Sequence, residues 1–491
     1  MSPFMLPSRF ARRALAPAML CAALAACVSV QVPRLPEGDL PAQWRNAWTS
    51  PELGSAPDLT GWWKSFHDPE LNGLVEQALA DNLDVKQAWW KLRAARALEG
   101  ESATRFKPHL AFQTIEQPNP QNTASYFQAG FDALWEFGLF GRGDAAGHIA
   151  AADAGAAAAG LQSARVSLVA EVVRTYLQLR AAQRNQTLLE QAAQAARKKV
   201  ELLRVRERLK LASQLEVVHA SADAANAEAR LADPRAAVVQ AAQTLALLLG
   251  KSEPDPAWLA PKPVPRLVAV DVASVPADLL RTRPEIRYAE TQVLKAAGEL
   301  GIAKADMYPH LSLGSSLTFA ALVKGQTRLG DVNNTFAIGP IINLPLFDWG
   351  ARRDVRDARE AQLRAAVLAY RQAVLQGAAE VESDLAALHA AGRRVTLADQ
   401  AAAASQRAAD LSAKLGALGQ ADQLDLADAT LALTQSELDR EQARVAQGMA
   451  FVALYKALGG APLPEADAGC PAPLSQADDS TRNAAKGGCG E

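Results

Sequence analysis

The pattern that decides the fold lies in residues 308–319, which read Tyr-Pro-His-Leu-Ser-Leu-Gly-Ser-Ser-Leu-Thr-Phe. Pro309 disfavours helix in the residue before it, and apolar and small polar residues then alternate along the chain. Such alternation predicts a β-strand with one apolar face and one small, polar face. A second alternating run from Phe336 to Leu344 predicts a pair of strands within about 309–346, joined by a turn from Leu322 to Asn334.

The same arrangement occurs earlier in the chain. Lys107-Pro108-His109-Leu110 precedes Tyr308-Pro309-His310-Leu311 by 201 positions, and Ser213-Gln214-Leu215-Glu216-Val217 precedes Asp422-Gln423-Leu424-Asp425-Leu426 by 209. A match that persists across half a chain indicates two tandem structural repeats. The predicted parts are a first repeat at 61–255 with strands within about 108–137, a Pro-rich linker at 256–275, and a second repeat at 276–462.

Each repeat is predicted to contain a helix, two strands, a very long helix and a further helix. The first helices run from Pro69 to about Arg105 and from Pro284 to about Asp306. The long helices run from about Asp144 to Leu209 and from about Arg353 to Leu415, with apolar residues spaced by three and four. A helix of about 65 residues is roughly 100 Å long, which predicts an extended coiled coil rather than a compact core.

The composition argues against several classes of protein. The 491 residues include 51 Lys+Arg and 53 Asp+Glu, and this formal net charge of −2 is not typical of a nucleic-acid binder. Six scattered His and the lack of nucleotide-binding or hydrolase motifs predict no enzyme, no metal and no cofactor. Beyond the N-terminus there is no apolar run of about 18 residues, so no transmembrane helix is predicted.

The N-terminus has the features of a targeting segment. Arg9, Arg12 and Arg13 precede the apolar run Ala14–Ala26, which predicts a secretory signal at residues 1–26. The end of that run, Leu24-Ala25-Ala26-Cys27, resembles the lipobox of bacterial lipoproteins. The resemblance implies cleavage before Cys27, S-diacylglycerol and N-palmitoyl groups on that residue, and a lipidated segment over 27–60. An ordinary signal peptide with a chance cysteine is the alternative.

Two further segments flank the repeats. Trp44, Trp48, Trp62 and Trp63 are predicted to clamp the N-terminal segment onto the helices. The tail at 463–491 is rich in Pro, Ala and Gly, which predicts a flexible segment. It contains Cys470 and Cys489, for which a disulfide and two separate thiols are both open interpretations.

Strands with one lipid-type face cannot remain an open sheet in a bilayer, because the backbone groups at the sheet edges would lack hydrogen-bond partners. Closed barrels begin at about eight strands, so a chain with four must combine with copies of itself. Two copies would give eight strands filled by side chains, and three copies would give twelve around a lumen. The strand pattern alone allows either number.

Four motifs of the second repeat carry a family resemblance. They are Pro276-Ala277-Asp278-Leu279-Leu280-Arg281-Thr282-Arg283-Pro284-Glu285-Ile286-Arg287, Ala303-Lys304-Ala305-Asp306-Met307-Tyr308-Pro309, Leu344-Pro345-Leu346-Phe347-Asp348-Trp349-Gly350 and Leu454-Tyr455-Lys456-Ala457-Leu458-Gly459-Gly460. With them the chain resembles the TolC/OprM family of outer-membrane efflux factors, in its NodT-like lipoprotein branch. The resemblance implies an α+β homotrimer, with a twelve-stranded outer-membrane β-barrel, four strands from each chain, continued by a periplasmic coiled-coil tunnel.

The resemblance also implies a function and partners. The chain is expected to export small molecules, such as drugs and toxic compounds, together with a periplasmic adaptor and an inner-membrane resistance-nodulation-division pump. It is expected to lie in the outer membrane, anchored by lipid, and to extend into the periplasm. A conduit for type I protein secretion and a non-conducting structural envelope lipoprotein are the alternative functions.

The turn after each long helix is implied to close the tunnel and to touch the adaptor. The family pattern places Gly three residues before a small polar residue, as in Gly419 and Asp422, with Asp425 following. Lys210 stands in this Gly position before Ser213, so the first turn is expected to differ in shape or in its contact with the adaptor, because Lys adopts left-handed backbone only at a cost. Ser213, Gly419, Asp422 and Asp425 are predicted docking or aperture residues, with ordinary turn and cap chemistry as the alternative.

Overall fold

The fold was determined as a computed structural model, which describes residues 59–117, 125–267, 283–324 and 328–460. The helices in these ranges are α1 Pro69–Asp81, α2 Leu83–Thr104, α3 Arg142–Arg208, α4 Gln214–Ala229, α5 Ala232–Leu248, α6 Pro284–Ala305, α7 Ala351–Ala417 and α8 Gln423–Ala457. The strands are β1 His109–Gln117, β2 Ser125–Glu136, β3 His310–Lys324 and β4 Arg328–Asn343. The predicted signal peptide, Cys27, Trp44, Trp48, the end of the linker and the C-terminal tail lie outside the described residues.

The two longest helices show the duplication in the backbone. Helices α3 and α7 have 67 residues each, which confirms the predicted long helices. Each begins directly after two consecutive residues in left-handed conformation, Phe140-Gly141 with φ of 55° and 77°, and Trp349-Gly350 with φ of 57° and 90°. The two pairs are 209 positions apart, so the offset found in the sequence relates equivalent bends of the chain.

The prediction of one continuous first helix in the first repeat was wrong, because Asn82 divides it into α1 and α2. The backbone of Asn82 is extended, with ψ of 132°, and its side-chain oxygen accepts hydrogen bonds from the amides of Asp84 and Val85. Its side-chain amide also donates to the carbonyl oxygen of Leu248 at 3.0 Å. A short amide side chain thus caps the second helix and competes with a continuous helical path.

The last helix of the first repeat is also divided, between Ala229 and Ala232. Pro234 explains the break, because its ring clashes with the carbonyl group four residues earlier, which belongs to Arg230, and it has no N–H to donate. In the second repeat Ala443 occupies the position of Pro234, and α8 runs unbroken for 35 residues. The repeats therefore differ in the helix that follows the turn.

The four strands form one antiparallel sheet in the order β1-β2-β3-β4. Its register places apolar residues of all four strands on one face. Phe112 lies opposite Phe131, Phe131 opposite Leu317, and Leu317 opposite Phe336. The other face pairs small residues, such as Gly314 with Gly339. The predicted two-faced strands are confirmed.

The second hairpin is longer than predicted. A turn was expected over 322–334, but β3 extends to Lys324 and β4 begins at Arg328, with a register shift between Ala321 and Val323. Val323, Leu329 and Val332 explain the difference, because β-branched and apolar residues continue the ladder into the segment that was assigned to the turn. The corresponding residues 118–124 of the first hairpin are outside the described ranges.

The order of helices follows the order of strands. Helix α3 packs against α2 and α6, and α6 packs against α7, so the half next to the strands has the order α2-α3-α6-α7. In the other half α4 packs on α3, α3 on α8, and α8 on α7. Exposed leucines lie on the helices at the ends of these rows, namely Leu83 and Leu98 of α2, Leu215 of α4, and Leu368 and Leu397 of α7.

The two ends of the described chain meet near the middle of α3. Trp62 is fully buried, stacks on Tyr455 at 5.6 Å between ring centroids, and donates from Nε1 to the carbonyl oxygen of Gly460 at 2.9 Å. Trp63 is buried beside it. Trp62 and Trp63 therefore pack onto the helices, as predicted, while the segment that precedes them lies outside the described residues.

A buried arginine fixes the start of the linker. Arg180 of α3 is fully buried and donates to Glu70 at 2.7 Å and to the carbonyl oxygens of Trp258 and Ala260. Partial burial opposes a low pKa at Glu70, but hydrogen bonds from Lys262 and Tyr176 and the charge of Arg180 hold this pKa below its usual value. The network holds the linker against α1 and α3.

A second ionic cluster joins the sheet to the helices. Arg142, at the start of α3, forms an ion pair with Asp306 and another with Glu136 at 3.2 Å. Arg352, near the start of α7, donates to the carbonyl oxygen of Asp306 at 3.1 Å. Asp306 therefore connects both long helices at the point where the strands begin.

One helix in the described ranges, α3, contains an 18-residue window long and apolar enough to cross a membrane, although no such segment was predicted. Half of that window is buried inside the chain. Several alanines of α3 are buried, among them Ala145, Ala152 and Ala159.

Candidate functional site

The candidate site consists of the two turns at the far end of the long helices, residues 209–213 and 418–422, which we call the end turns. In the first, the Leu211 amide donates to the carbonyl oxygen of Arg206 at 2.8 Å. In the second, the Gln420 amide donates to that of Leu415 at 2.9 Å. These bonds span the same number of residues and close both helices in the same way, with a left-handed residue in the middle.

The expectation that Lys210 changes the shape of its turn was wrong. Lys210 has φ of 58° and Gly419 has φ of 70°, so both residues are in the left-handed region. The surrounding hydrogen bonds determine the conformation, and lysine adopts it at a cost of about 1–2 kcal/mol. The substitution therefore adds a cationic side chain to the first end turn without altering its backbone.

Each end turn leads into a helix that starts with a reciprocal capping box. The Glu216 amide donates to the Ser213 hydroxyl at 3.3 Å, and the Glu216 carboxylate accepts from the Ser213 amide at 2.7 Å. Asp422 and Asp425 repeat this arrangement, with the Asp422 amide donating to Asp425 at 3.1 Å. Ser213, Asp422 and Asp425 thus cap the helices in the described chain.

The Ser213 backbone amide and hydroxyl bond to Glu216, and these bonds lower the pKa of Glu216 below its ordinary value. A further contribution comes from the charge of Arg206. The first cap therefore favours an ionised Glu216.

The structure brings the two end turns together through a contact that sequence patterns did not predict. Arg206, in the last turn of α3, forms an ion pair with Asp422, the N-cap of α8. Two more ion pairs continue along the antiparallel α3–α8 contact, Lys199 with Asp428 at 2.6 Å and Arg184 with Glu437 at 2.7 Å. The periodicity of each helix gives no signal for these pairs, because they depend on which faces meet.

The end turns also carry exposed apolar side chains. Leu209, Leu211 and Leu418 of the end turns are each more than 60% exposed in the single chain, as is Leu215 at the start of α4. Exposed leucines beside charged side chains are typical of a surface that binds another protein. In the described part of the chain no cluster of three or more His, Cys, Asp or Glu is placed to hold a metal ion.

Comparison with known proteins gives a consistent result. A family model for outer membrane efflux proteins matches residues 74–251 and 275–460. The pyoverdine export outer membrane protein OpmQ of Pseudomonas aeruginosa is 28% identical over 459 residues, which cover 90% of this chain and 95% of that protein. Nodulation protein T of Rhizobium leguminosarum bv. trifolii is 26% identical over 456 residues, which cover 88% of this chain and 94% of that protein.

Among solved structures, the outer-membrane channel OprN superposes with a TM-score of 0.76 at 30% identity, covering 89% of this chain and all of that one. A small sheet continued by long paired helices is thus the fold of outer-membrane channels. The chain belongs to the outer membrane efflux protein family. This confirms the family resemblance found in the sequence, and the members of this family are channels rather than enzymes.

The left-handed backbone at Lys210 and Gly419 determines how substitutions at these residues should affect the stability of the end turns. Replacing Lys210 with Gly should stabilise the first turn by about 1 kcal/mol, and replacing Gly419 with Ala should destabilise the second by about as much. Hydrogen exchange of the Leu211 and Gln420 amides, which close the two helices, measures the local opening.

Gly416 provides the control, because it lies in α7 without left-handed backbone, and an added methyl group there would meet open space. Gly416→Ala should leave exchange unchanged or slow it. Equal protection in Lys210→Gly and the original chain would contradict the assigned backbone conformation.

The first cap should be sensitive to acid. Because the folded pKa of Glu216 lies below the ordinary value of 4.5, its stabilising effect is complete above that pH and is lost as the pH falls through the folded pKa. We therefore expect protection of the Ser213 amide, corrected for intrinsic exchange, to fall only below about pH 4.5. Glu216→Gln, which can keep the capping box without ionising, should remove the pH dependence. An identical pH profile in both proteins would disprove the assignment.

Proposed function

We propose that the chain is the outer-membrane conduit of a tripartite efflux system and that three copies form one channel. The strongest support is that the described chain has two different sides on which a strand edge and the end of a helix row have no neighbour. The sheet ends in β1 on one side and β4 on the other, and the helix rows end in α2 and α4 on one side and α7 on the other. Two different open sides fit a ring of copies joined head to tail.

The number of strands supports three copies. Two chains would supply eight strands, which enclose a space filled by side chains, whereas three would supply twelve around a lumen. The apolar face with exposed Phe336, Ile338 and Ile342 then faces lipid, and the small, polar face lines the channel. Helices of about 100 Å continue the bore away from the membrane.

The proposal also includes two protein partners and a lipid anchor on the chain. The exposed leucines of the end turns provide a surface for a periplasmic adaptor, through which an inner-membrane resistance-nodulation-division pump supplies energy. A lipid on Cys27 holds the N-terminal segment in the outer membrane, since several acyl chains give stable anchoring. The name of OpmQ refers to pyoverdine export, and a small-molecule cargo is proposed here by analogy.

The end turns are proposed to form the aperture. Threefold symmetry would place three copies of Asp422 and Asp425 around one axis, where carboxylates favour cations. The ion pair of Arg206 with Asp422 holds the two end turns of a chain together. Ser213 and Gly419 set the helix start and the bend that position these side chains.

The proposed function predicts three properties of protein extracted from outer membranes with detergent. Native mass spectrometry should show three chains, planar bilayers should show discrete conductance steps, and intact-mass measurement should show acyl groups that Cys27→Ser lacks. The same preparation dissociated by heat into single chains is the control and should not conduct. A monomer, or a trimer without conductance, would rule out the channel and leave a structural envelope lipoprotein.

The aperture makes a separate prediction. Asp422→Asn combined with Asp425→Asn should lower the cation preference of the pore, measured by reversal potentials in salt gradients. Asn is a good N-cap residue, so the helix start should remain folded. Asp439→Asn on the exposed face of α8 is the matched control. Unchanged selectivity in the double variant would remove these carboxylates from the aperture.

A further inference from the structure

A cavity lies between the linker and helices α3 and α8, away from the end turns. It has a volume of about 380 Å³ and is lined by linker residues 261–264 and Arg266, together with side chains of both helices. Its lining contains five cationic side chains, Arg184, Lys262, Arg266, Arg440 and Arg444, and one carboxylate, Glu441. We call it the basic cavity.

Three of the five cations already have close carboxylate partners. Arg184 pairs with Glu437 at 2.7 Å, and Arg444 pairs with Asp399 at 2.7 Å. Lys262 pairs with Glu70 at 2.8 Å. These pairs hold the wall of the cavity in place.

Arg440 differs from these three. Its side chain is only 23% exposed, and its Nη2 makes two long ion pairs, donating to Glu441 at 3.5 Å and lying 3.6 Å from a Glu437 oxygen. Its Nε is buried with no hydrogen-bond acceptor in the described part of the chain. A guanidinium group that is largely removed from water is costly unless an acceptor faces it.

Arg266 differs from the other four cations, because it has no ion pair within the described residues. It is exposed at the mouth of the cavity, and no carboxylate in the described part of the chain lies within ion-pair distance of it. Just before this segment, the linker backbone is fixed by hydrogen bonds from the fully buried Arg180 to Trp258 and Ala260. The cavity wall is therefore held before any ligand arrives, which lowers the cost of binding.

From this geometry we propose that the basic cavity binds an oxyanion, a phosphate or carboxylate group, between Arg440 and Arg266. Planar guanidinium groups donate paired hydrogen bonds to such anions. The bound oxygen would supply the acceptor that Arg440 Nε lacks. The site is independent of the proposed channel function, since it uses neither the end turns nor the strands.

The test uses full-length protein in detergent near pH 7. Sodium phosphate and sodium citrate are titrated at ionic strength held constant with sodium chloride, and binding is followed by calorimetry. Saturable binding of at least one anion is expected. Arg440→Gln should weaken it by about tenfold or more, the loss of one charge-assisted contact.

Two further variants keep the test decisive if Arg440→Gln fails to fold. Arg266→Gln changes an exposed side chain and should also weaken binding, whereas Glu441→Gln removes the carboxylate of the lining and should strengthen it. Arg407→Gln, at an exposed arginine of α7, is the control and should not alter affinity. Binding of phosphate alone or of citrate alone identifies the preferred anion. Absence of saturable binding, or equal affinity in all variants, would overturn the proposal.

Discussion

The proposed channel depends on the hydrogen-bonding groups at the two edges of the sheet. In the proposed outer-membrane barrel each unpaired backbone group would cost several kcal/mol, so β1 and β4 would need partners from outside the chain. The same constraint bears on the helices, because the edge strands are directly connected to the helices at the ends of the rows. Helix α2 leads directly into β1 and α7 follows β4, so the strands at the edges and the helices at the ends of the rows belong to the same two sides. In the proposed trimer, a copy that paired with the sheet edges would therefore also lie beside the exposed leucines of the helices.

Much of this architecture could be predicted because it rests on repetition and periodicity. The period of the strands, the length of α3 and α7 and the duplication were all readable from residue spacing, and the sheet register confirms the apolar face. The breaks were missed for local reasons. Pro234 was a visible signal against a continuous helix, whereas Asn82 divides its helix through a cap and a bond to Leu248 that is distant in sequence.

The end turns show where such prediction stops. Lys210 suggested a different bend, because lysine disfavours left-handed backbone, but hydrogen bonds from residues on both sides impose that conformation. Local hydrogen bonding here outweighs the preference of one residue. The pairing of Arg206 with Asp422 could not be foreseen, since it requires knowing that the end of α3 lies against the start of α8.

The two end turns have the same backbone conformation but carry different side chains, because the repeats differ in sequence. The first cap combines a neutral hydroxyl with Glu216, while the second consists of two carboxylates. Duplication alone would have placed equivalent groups at both turns. Instead the first repeat supplies a cation, Arg206, and the second supplies the anion that receives it, Asp422. Because this pair joins the end of α3 to the start of α8, displacement of either turn must break the ion pair or carry the other turn with it.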